Sequence, residues 1–342
     1  MTEPSAPPRA PAPPALVVTV APHLAGGGPT TRRMMADVLT GLVPALVMAT
    51  VVFRWHAVKQ VGLCILACLA FEALFAKMRG KRPSLGDLSA AVTGAVLGLS
   101  LPWSAPWYVG IVAGGVAVGI GKAVFGGLGQ NLFNPAMVGR AFVMIAFPAA
   151  MGAGAFLAEP GSSALEVLTQ ATPLSAAKQA GVAAGFWPLF VGTRNGSLGE
   201  VSALACLLGG LYLCLRRTAS WEIPAGMLAA VAIVAAAGNA LSGPQTPLPM
   251  LGLAAWRHLL SGAVLFGAFF IATDPVTSPL TPRGKWIFGA GIGTLIMVIR
   301  IFSGYPEGVM FAVLIMNSLV PLIDRWTIPV PVGGPVPRPA AK

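Results

Sequence analysis

Charge is what this sequence has least of. Only 10% of its 342 residues are Asp, Glu, Lys or Arg, against about 25% in soluble domains. That leaves too little polar surface for a chain wetted on every side and excludes an ordinary soluble enzyme. Histidine is scarce too. His23, His56 and His258 are all there are; none stands at metal-ligand spacing from another, and His56 and His258 read as interfacial residues. The four cysteines, Cys64, Cys68, Cys206 and Cys214, lie inside apolar runs and form no CxxC pair. Cys64, Cys68 and Glu72 share a helix face, but with no fourth ligand the cysteines read as small apolar filler. Neither an iron–sulfur cluster held by this chain alone nor a disulfide is expected. There is no Walker loop and no dinucleotide fingerprint, since Gly126-Gly-Leu-Gly has the wrong spacing and follows no strand. The net charge of +11 does not point to nucleic acid, because the basic residues sit in short loops rather than on one face.

Apolar sequence is what remains: 56% of residues are hydrophobic and the mean hydropathy is +0.78. A helix needs roughly 20 apolar residues to cross a bilayer, and about ten such stretches are present. The 42 glycines suit membrane helices, where small residues let backbones approach closely. Strands of alternating polarity, the mark of an outer-membrane barrel, are absent. The fold class is therefore an all-α integral membrane protein. The expected spans are Val38–Phe53, Val58–Phe75, Leu88–Leu101, Tyr108–Phe125, Pro135–Pro148, Leu198–Leu215, Ile223–Leu241, Leu253–Ala272, Trp286–Phe302 and Val309–Ile323. Residues 1–31, rich in Pro and Ala, form a flexible tail without the pattern of a signal peptide. Two five-span halves, 32–150 and 197–326, flank a polar, Gly-rich loop at 151–196, and 327–342 form a second tail.

With the N-terminus placed in the cytoplasm, 15 Lys and Arg fall inside, 6 fall outside, and Arg140 lies within a span. The positive-inside rule thus puts both termini in the cytoplasm and the 151–196 loop outside. The halves resemble each other. Thr93-Gly-Ala-Val-Leu recurs as Ser261-Gly-Ala-Val-Leu, and each half carries a Gly/Pro break, at Gly126–Pro135 and Ser303–Pro306. Five spans is an odd number, so the halves form inverted repeats with interrupted helices, an arrangement that places binding sites in the membrane interior.

Three groups of residues are candidates for chemistry. The break contains Gly129, Gln130, Asn131 and Asn134, whose amides and exposed backbone suit a flat polar ligand. In the outer loop, Thr169-Gln-Ala-Thr172-Pro173 reads as an exposed turn presenting the Thr172 hydroxyl to solvent. The carboxylates near the membrane are Glu72, Asp87, Asp274, Glu307 and Asp324. Glu72 and Asp274 lead as ion- or proton-handling candidates, although Glu72 has Lys77 within reach as a partner.

The run around Gly129-Gln-Asn-Leu-Phe-Asn-Pro135 resembles the signature of the NqrB/RnfD family. So do Thr273-Asp-Pro-Val-Thr-Ser-Pro279 and Tyr305-Pro-Glu-Gly-Val-Met-Phe-Ala-Val-Leu-Ile-Met-Asn317. The resemblance covers nearly all of 32–326, and the short tails and compact loop are closer to RnfD chains than to NqrB chains. It implies FMN joined by a phosphoester to Thr172, with Thr169 opening the Ser/Thr-x-Ala-Thr motif. A second, noncovalent flavin such as riboflavin is implied near the break. The implied role is a subunit of an ion-translocating ferredoxin:NAD oxidoreductase in the bacterial inner membrane, inactive alone. Its implied partners are other membrane and peripheral subunits, including a second FMN-bearing one, and the coupled ion is H⁺ or Na⁺. The alternatives are an NqrB-type subunit of a Na⁺-translocating quinone reductase and a small-solute channel or transporter of inverted-repeat fold.

Overall fold

The computed structural model describes residues 30–80, 84–151, 172–180, 184–192, 196–243, 248–305 and 307–329. His23, Thr169 and most of both tails lie outside them. The first half contains α1 (Thr31–Phe53), α2 (Trp55–Met78), α3 (Ser89–Ser100), α4 (Trp107–Val118, continued by a π turn, Gly119–Ala123) and α5 (Pro135–Ala146). Two short helices follow, α6 (Pro173–Ala180) and α7 (Phe186–Val191), in the stretch expected to be a polar loop. The second half contains α8 (Ala203–Leu215), α9 (Glu222–Leu241) and α10 (Ala255–Leu260). It ends with α11 (Val264–Phe266, continued by a π turn, Gly267–Ile271), α12 (Pro282–Phe302) and α13 (Val309–Thr327). No strand occurs among the described residues; one isolated bridge joins Pro102 and Ser197.

Local sequence explains the starts. Thr30, Asn134, Ser202 and Thr281 each accept a hydrogen bond from a backbone N–H of the first turn they precede, and Pro135 and Pro282 follow two of these caps. Side-chain caps and a first-position proline satisfy or remove N–H groups that have no partner inside the helix.

Five helices, α1, α2, α9, α12 and α13, are long and apolar enough to cross a membrane. Their outer faces carry exposed aliphatic residues, as in the stripe Val43, Val47, Val51 on α1, which lipid rather than water would cover. The remaining apolar helices are shorter than expected. A helix of 12 residues such as α3 or α5 reaches only about 18 Å, against roughly 30 Å of hydrocarbon. The run Leu253–Ala272 is not one span: it breaks at Ser261–Ala263, where Gly262 adopts φ +66°. Likewise Leu198–Leu215 opens with a 3₁₀ turn at Leu198–Glu200, and its helix begins only at Ala203.

The halves repeat a packing order. α2 packs on α3 and α4 as α9 packs on α12, while α4 packs on α5 as α12 packs on α13. The matching pentapeptides, however, do not occupy equivalent positions: Thr93 lies one turn inside α3, whereas Ser261 lies in the break before α11. Between the halves α1 crosses α8, where a Cβ built on Gly209 would overlap the carbonyl oxygen of Gly41 and stand 2.8 Å from the Phe270 ring. Gly209→Ala is therefore expected to force the two halves apart and cost about 1–3 kcal/mol as overpacking. Thermal inactivation of the detergent-purified chain reads this, and unchanged inactivation would refute the close crossing.

Candidate functional site

Short helices end at membrane depth, where only protein can satisfy their terminal backbone groups. The second-half break shows how this is done. Arg300, fully buried in the last turn of α12, donates to the carbonyls of His258 (2.7 Å) and Ser261 (2.9 Å) at the end of α10. It also lies 3.4 Å from Glu307, which accepts from the backbone N–H groups of Ala263 (2.8 Å), Gly308 (3.1 Å) and Val309 (3.4 Å). A cation thus closes one helix C-terminus while an anion closes the starts of α11 and α13, as the helix dipoles require. His258 is not interfacial. It is fully buried, its Nε2 3.0 Å from the Met250 carbonyl oxygen. His56 is exposed, as expected, with its ring edge against Trp103.

α6 docks on this break. Lys178 donates to the carbonyls of Arg300 (2.9 Å), Ser303 and Tyr305 (3.0 Å), and burial lowers its pKa from the ordinary lysine range. Leu174 packs so closely on Gly262 that a side chain there would strike it. Thr172 is half-buried and does more than present a hydroxyl in a turn. Its Oγ1 accepts from the backbone N–H of Ser175 (3.2 Å) and lies 2.8 Å from the Ser175 hydroxyl, so it caps α6. A phosphoester on this oxygen would put its negative charge at a helix N-terminus beside a hydroxyl donor, where an anion is stabilised. The residues present therefore fit the phosphate end of the implied cofactor.

The first-half break borders a cavity between the halves. Asn131, Asn134 and Asp274, distant in sequence, all line it, together with Lys122, Thr273 and Phe269. Asn134 ties the halves together. Its backbone N–H donates to Asn317 Oδ1 (3.2 Å) and its Nδ2 donates to the Ile271 carbonyl (3.3 Å), while Asn317 Nδ2 donates to the Thr277 carbonyl (2.9 Å). Gly129, at φ +87°, lines an adjoining vestibule with Thr31, Leu280 and Asp324. Gln130 is exposed and lines neither space, because Asn131 takes the inward position beside it.

The two leading carboxylates have different surroundings. Glu72 does not pair with Lys77; it forms a buried ion pair with Lys122 at 2.8 Å. Asp274 accepts from the Val276 N–H (3.2 Å) and the Thr277 hydroxyl (3.1 Å), and among the described residues no Lys or Arg pairs with it. Of the other acids, Asp87 accepts from the N–H and hydroxyl of Ser89, and Asp324 accepts from the Leu280 N–H. Sequence reasoning missed Lys122 and Arg300. A lone basic residue near the end of each half's fourth apolar run was the available signal. The four cysteines are free, and no His/Cys/Asp/Glu group able to hold a metal occurs among the described residues.

The vestibule opens beside the start of α12, at Leu280, whereas α6 sits on that helix's other end, at Ser303 and Tyr305. The 21 residues between these ends span about 31 Å. Helix breaks closed by buried charge, a cavity between two packed halves and a helix-capping threonine at the far end of α12 from the vestibule define a multi-pass membrane protein built around interrupted helices. The chain belongs to the NQR2, RnfD, RnfE family, whose model matches residues 17–333. It is 37% identical over 314 residues to the D subunit of the proton-translocating ferredoxin:NAD(+) oxidoreductase complex of Clostridium ljungdahlii, covering 89% of this chain and 92% of that one. It is 39% identical over 316 residues to the Na(+)-translocating counterpart of Acetobacterium woodii, covering 91% and 93%. It is also 39% identical over 338 residues to the D subunit of the ion-translocating oxidoreductase complex of Halorhodospira halophila, covering 88% and 93%.

Proposed function

We propose that this chain is the D-type membrane subunit of a ferredoxin:NAD⁺ oxidoreductase (Rnf) complex, a multisubunit translocase. In it, electron passage through flavin held on this chain is tied to movement of H⁺ or Na⁺. One observation carries the reading: the Thr172 helix and the vestibule adjoining the central cavity lie at opposite ends of one helix long enough to cross a membrane, and the wall of that cavity holds a half-buried carboxylate, Asp274, that has no basic partner among the described residues. The relatives named as D-type subunits, matched over about nine tenths of this chain, support the Rnf role over the quinone-reductase and channel alternatives. Relatives named for H⁺ and for Na⁺ are about equally similar, so identity does not choose the ion.

The Lys and Arg count puts the vestibule and both termini on the cytoplasmic side of a bacterial inner membrane, and Thr172 on the outer side. Thr172 holds FMN as a phosphoester, and a flavin supplies one- and two-electron exchange with neighbouring carriers. The chain's own residues do the positioning. Lys178 and Leu174 fix α6 to the break, Ser175 donates at the phosphate end, Asn131 faces a second flat ring such as riboflavin in the cavity, and Asn134 holds the cavity wall together through the α5 cap and the Ile271 carbonyl. Other membrane and peripheral subunits, one of them bearing a second FMN, bring and remove electrons. Asp274 receives the coupled cation.

The test is the assembled complex in sealed vesicles. Asp274→Asn is expected to keep ferredoxin-driven NAD⁺ reduction while ion accumulation falls at least about tenfold, the factor for 1.4 kcal/mol of lost ion binding. Full ion accumulation in that variant would remove Asp274 from the route.

A further inference from the structure

Two hollows meet at Lys122. Beyond the central cavity lies a second one, bordered by Glu72, Arg79, Ser84 and the Gly126–Gly127 turn, and Lys122 and Leu128 border both. Their entrances differ in chemistry. The vestibule is walled largely by Met34, Met35, Leu128 and Val276, which suits an apolar ring. The second hollow presents the Glu72 carboxylate and the Ser84 hydroxyl among apolar residues, while the Arg79 guanidinium at its edge is held by the Ala123 carbonyl.

The Lys122 ammonium fills a nest of oxygens. Lys122 Nζ lies 2.8 Å from each carboxylate oxygen of Glu72 and 2.7 Å from Ser89 Oγ. Ser84 donates to Glu72 (2.7 Å), and the Ser89 hydroxyl passes its own hydrogen to Asp87 (2.6 Å), leaving its lone pairs turned to the cation. Lys122 and Glu72 are 4% and 6% exposed. Oxygen-only coordination around a carboxylate is what a small hard cation takes, and a buried ionisable pair in a membrane protein is by default a candidate for an ion route. The lysine also sits on distorted backbone. It is carried on the π turn Gly119–Ala123, a distortion frequent at functional sites. Gly121 in that turn lies against Pro135, part of the cavity wall, with no room for a Cβ. A change in the cavity thus reaches the lysine's own backbone.

We propose that Lys122 is a tethered cation closing an oxygen-lined site for a monovalent metal cation, and that the transported ion enters the central cavity by replacing its ammonium. This rests on the ion-translocating reading above and names the gate on its route.

The experiment compares thermal midpoints of the purified assembled complex in NaCl and in choline chloride at equal ionic strength. In Lys122→Met the site is open to the ion, and Na⁺ is expected to raise the midpoint by roughly 5 °C at saturation; wild type, with its site filled, shifts by no more than about 1 °C. Glu72→Gln/Lys122→Met removes both charges together, leaves no buried unpaired carboxylate, and is expected to fold and lose the Na⁺ response. A folded Lys122→Met complex with equal midpoints in both salts, stabilised only by lowering the pH, overturns the proposal, since Glu72 would then merely take up a proton. Failure of Lys122→Met to assemble in either salt while the double variant assembles also overturns it, because the ammonium would then be a structural counter-ion that Na⁺ cannot replace. Ion accumulation by wild-type vesicles, measured separately, tells loss of the translocation reading from loss of the gate.

Discussion

Thr172→Ala, produced together with the flavin-attaching enzyme, is expected to leave the denatured chain without flavin fluorescence in a gel and to reduce electron transfer by the assembled complex to background. The same substitution removes the cap of α6, which costs only about 1 kcal/mol. That is too little to unfold the chain, so lost fluorescence reports lost attachment. Two companions separate the roles of this oxygen. Thr172→Ser keeps an attachable hydroxyl at the helix start and retains fluorescence. Ser175→Ala removes the hydroxyl 2.8 Å away but leaves Thr172 intact; it should still fluoresce, with slower electron transfer if Ser175 orients the phosphate end. Fluorescence persisting in Thr172→Ala would move the attachment elsewhere, and absence from every variant and wild type, with a control protein labelled, would remove the covalent flavin altogether.

The membrane class was legible because it rests on totals: scarce charge and long apolar runs leave no other solvent for the surface. Both anticipated breaks were legible as well, since Gly126–Pro135 and Ser303–Gly304 combine residues that end helices. The break at Ser261–Ala263 was not. It sits in an apolar run whose Arg257 and His258 looked like residues at a membrane edge, and only the fold shows His258 buried and the carbonyls around it met by Arg300, 42 residues away. Hydropathy cannot show such a partner. The candidate site was half legible for the same reason. Asn131, Asn134 and Asp274 were singled out as polar groups costly at membrane depth, and the fold gathers them in one cavity. Gln130, identical in kind to its neighbours, points out, because a period of one or two residues in irregular backbone decides direction and composition does not. For Glu72 the sequence shows only one partner within reach, Lys77, five residues on along its own helix. The lysine that meets it comes from a different helix, 50 residues away.

The two buried pairs also show a division of labour between the halves. Lys122 of the Glu72–Lys122 pair borders two hollows, whereas Arg300–Glu307 faces backbone, and its partners are helix ends. Arg300→Met should therefore be the most destabilising single change in the second half. It strands two carbonyls and the Glu307 carboxylate, and breaking a buried pair by removing one partner costs about 3–5 kcal/mol. Met occupies nearly the same volume, so a cavity adds little. Arg300→Lys should recover part of the loss, because an ammonium reaches one carbonyl or the carboxylate but lacks the fork that engages all three. Glu307→Gln should be milder than Arg300→Met, since its amide oxygen can still accept from the N–H groups that begin α11 and α13. The readouts are the half-life of the purified complex at a fixed elevated temperature, suited to a protein that unfolds irreversibly, and protease sensitivity of α6. Lys178 is held by carbonyls of the same break, so loosening it should expose α6 to cleavage. Arg300→Met with wild-type half-life and an uncut α6 would show that the pair closes nothing, and that the helix ends at this depth are satisfied by other means.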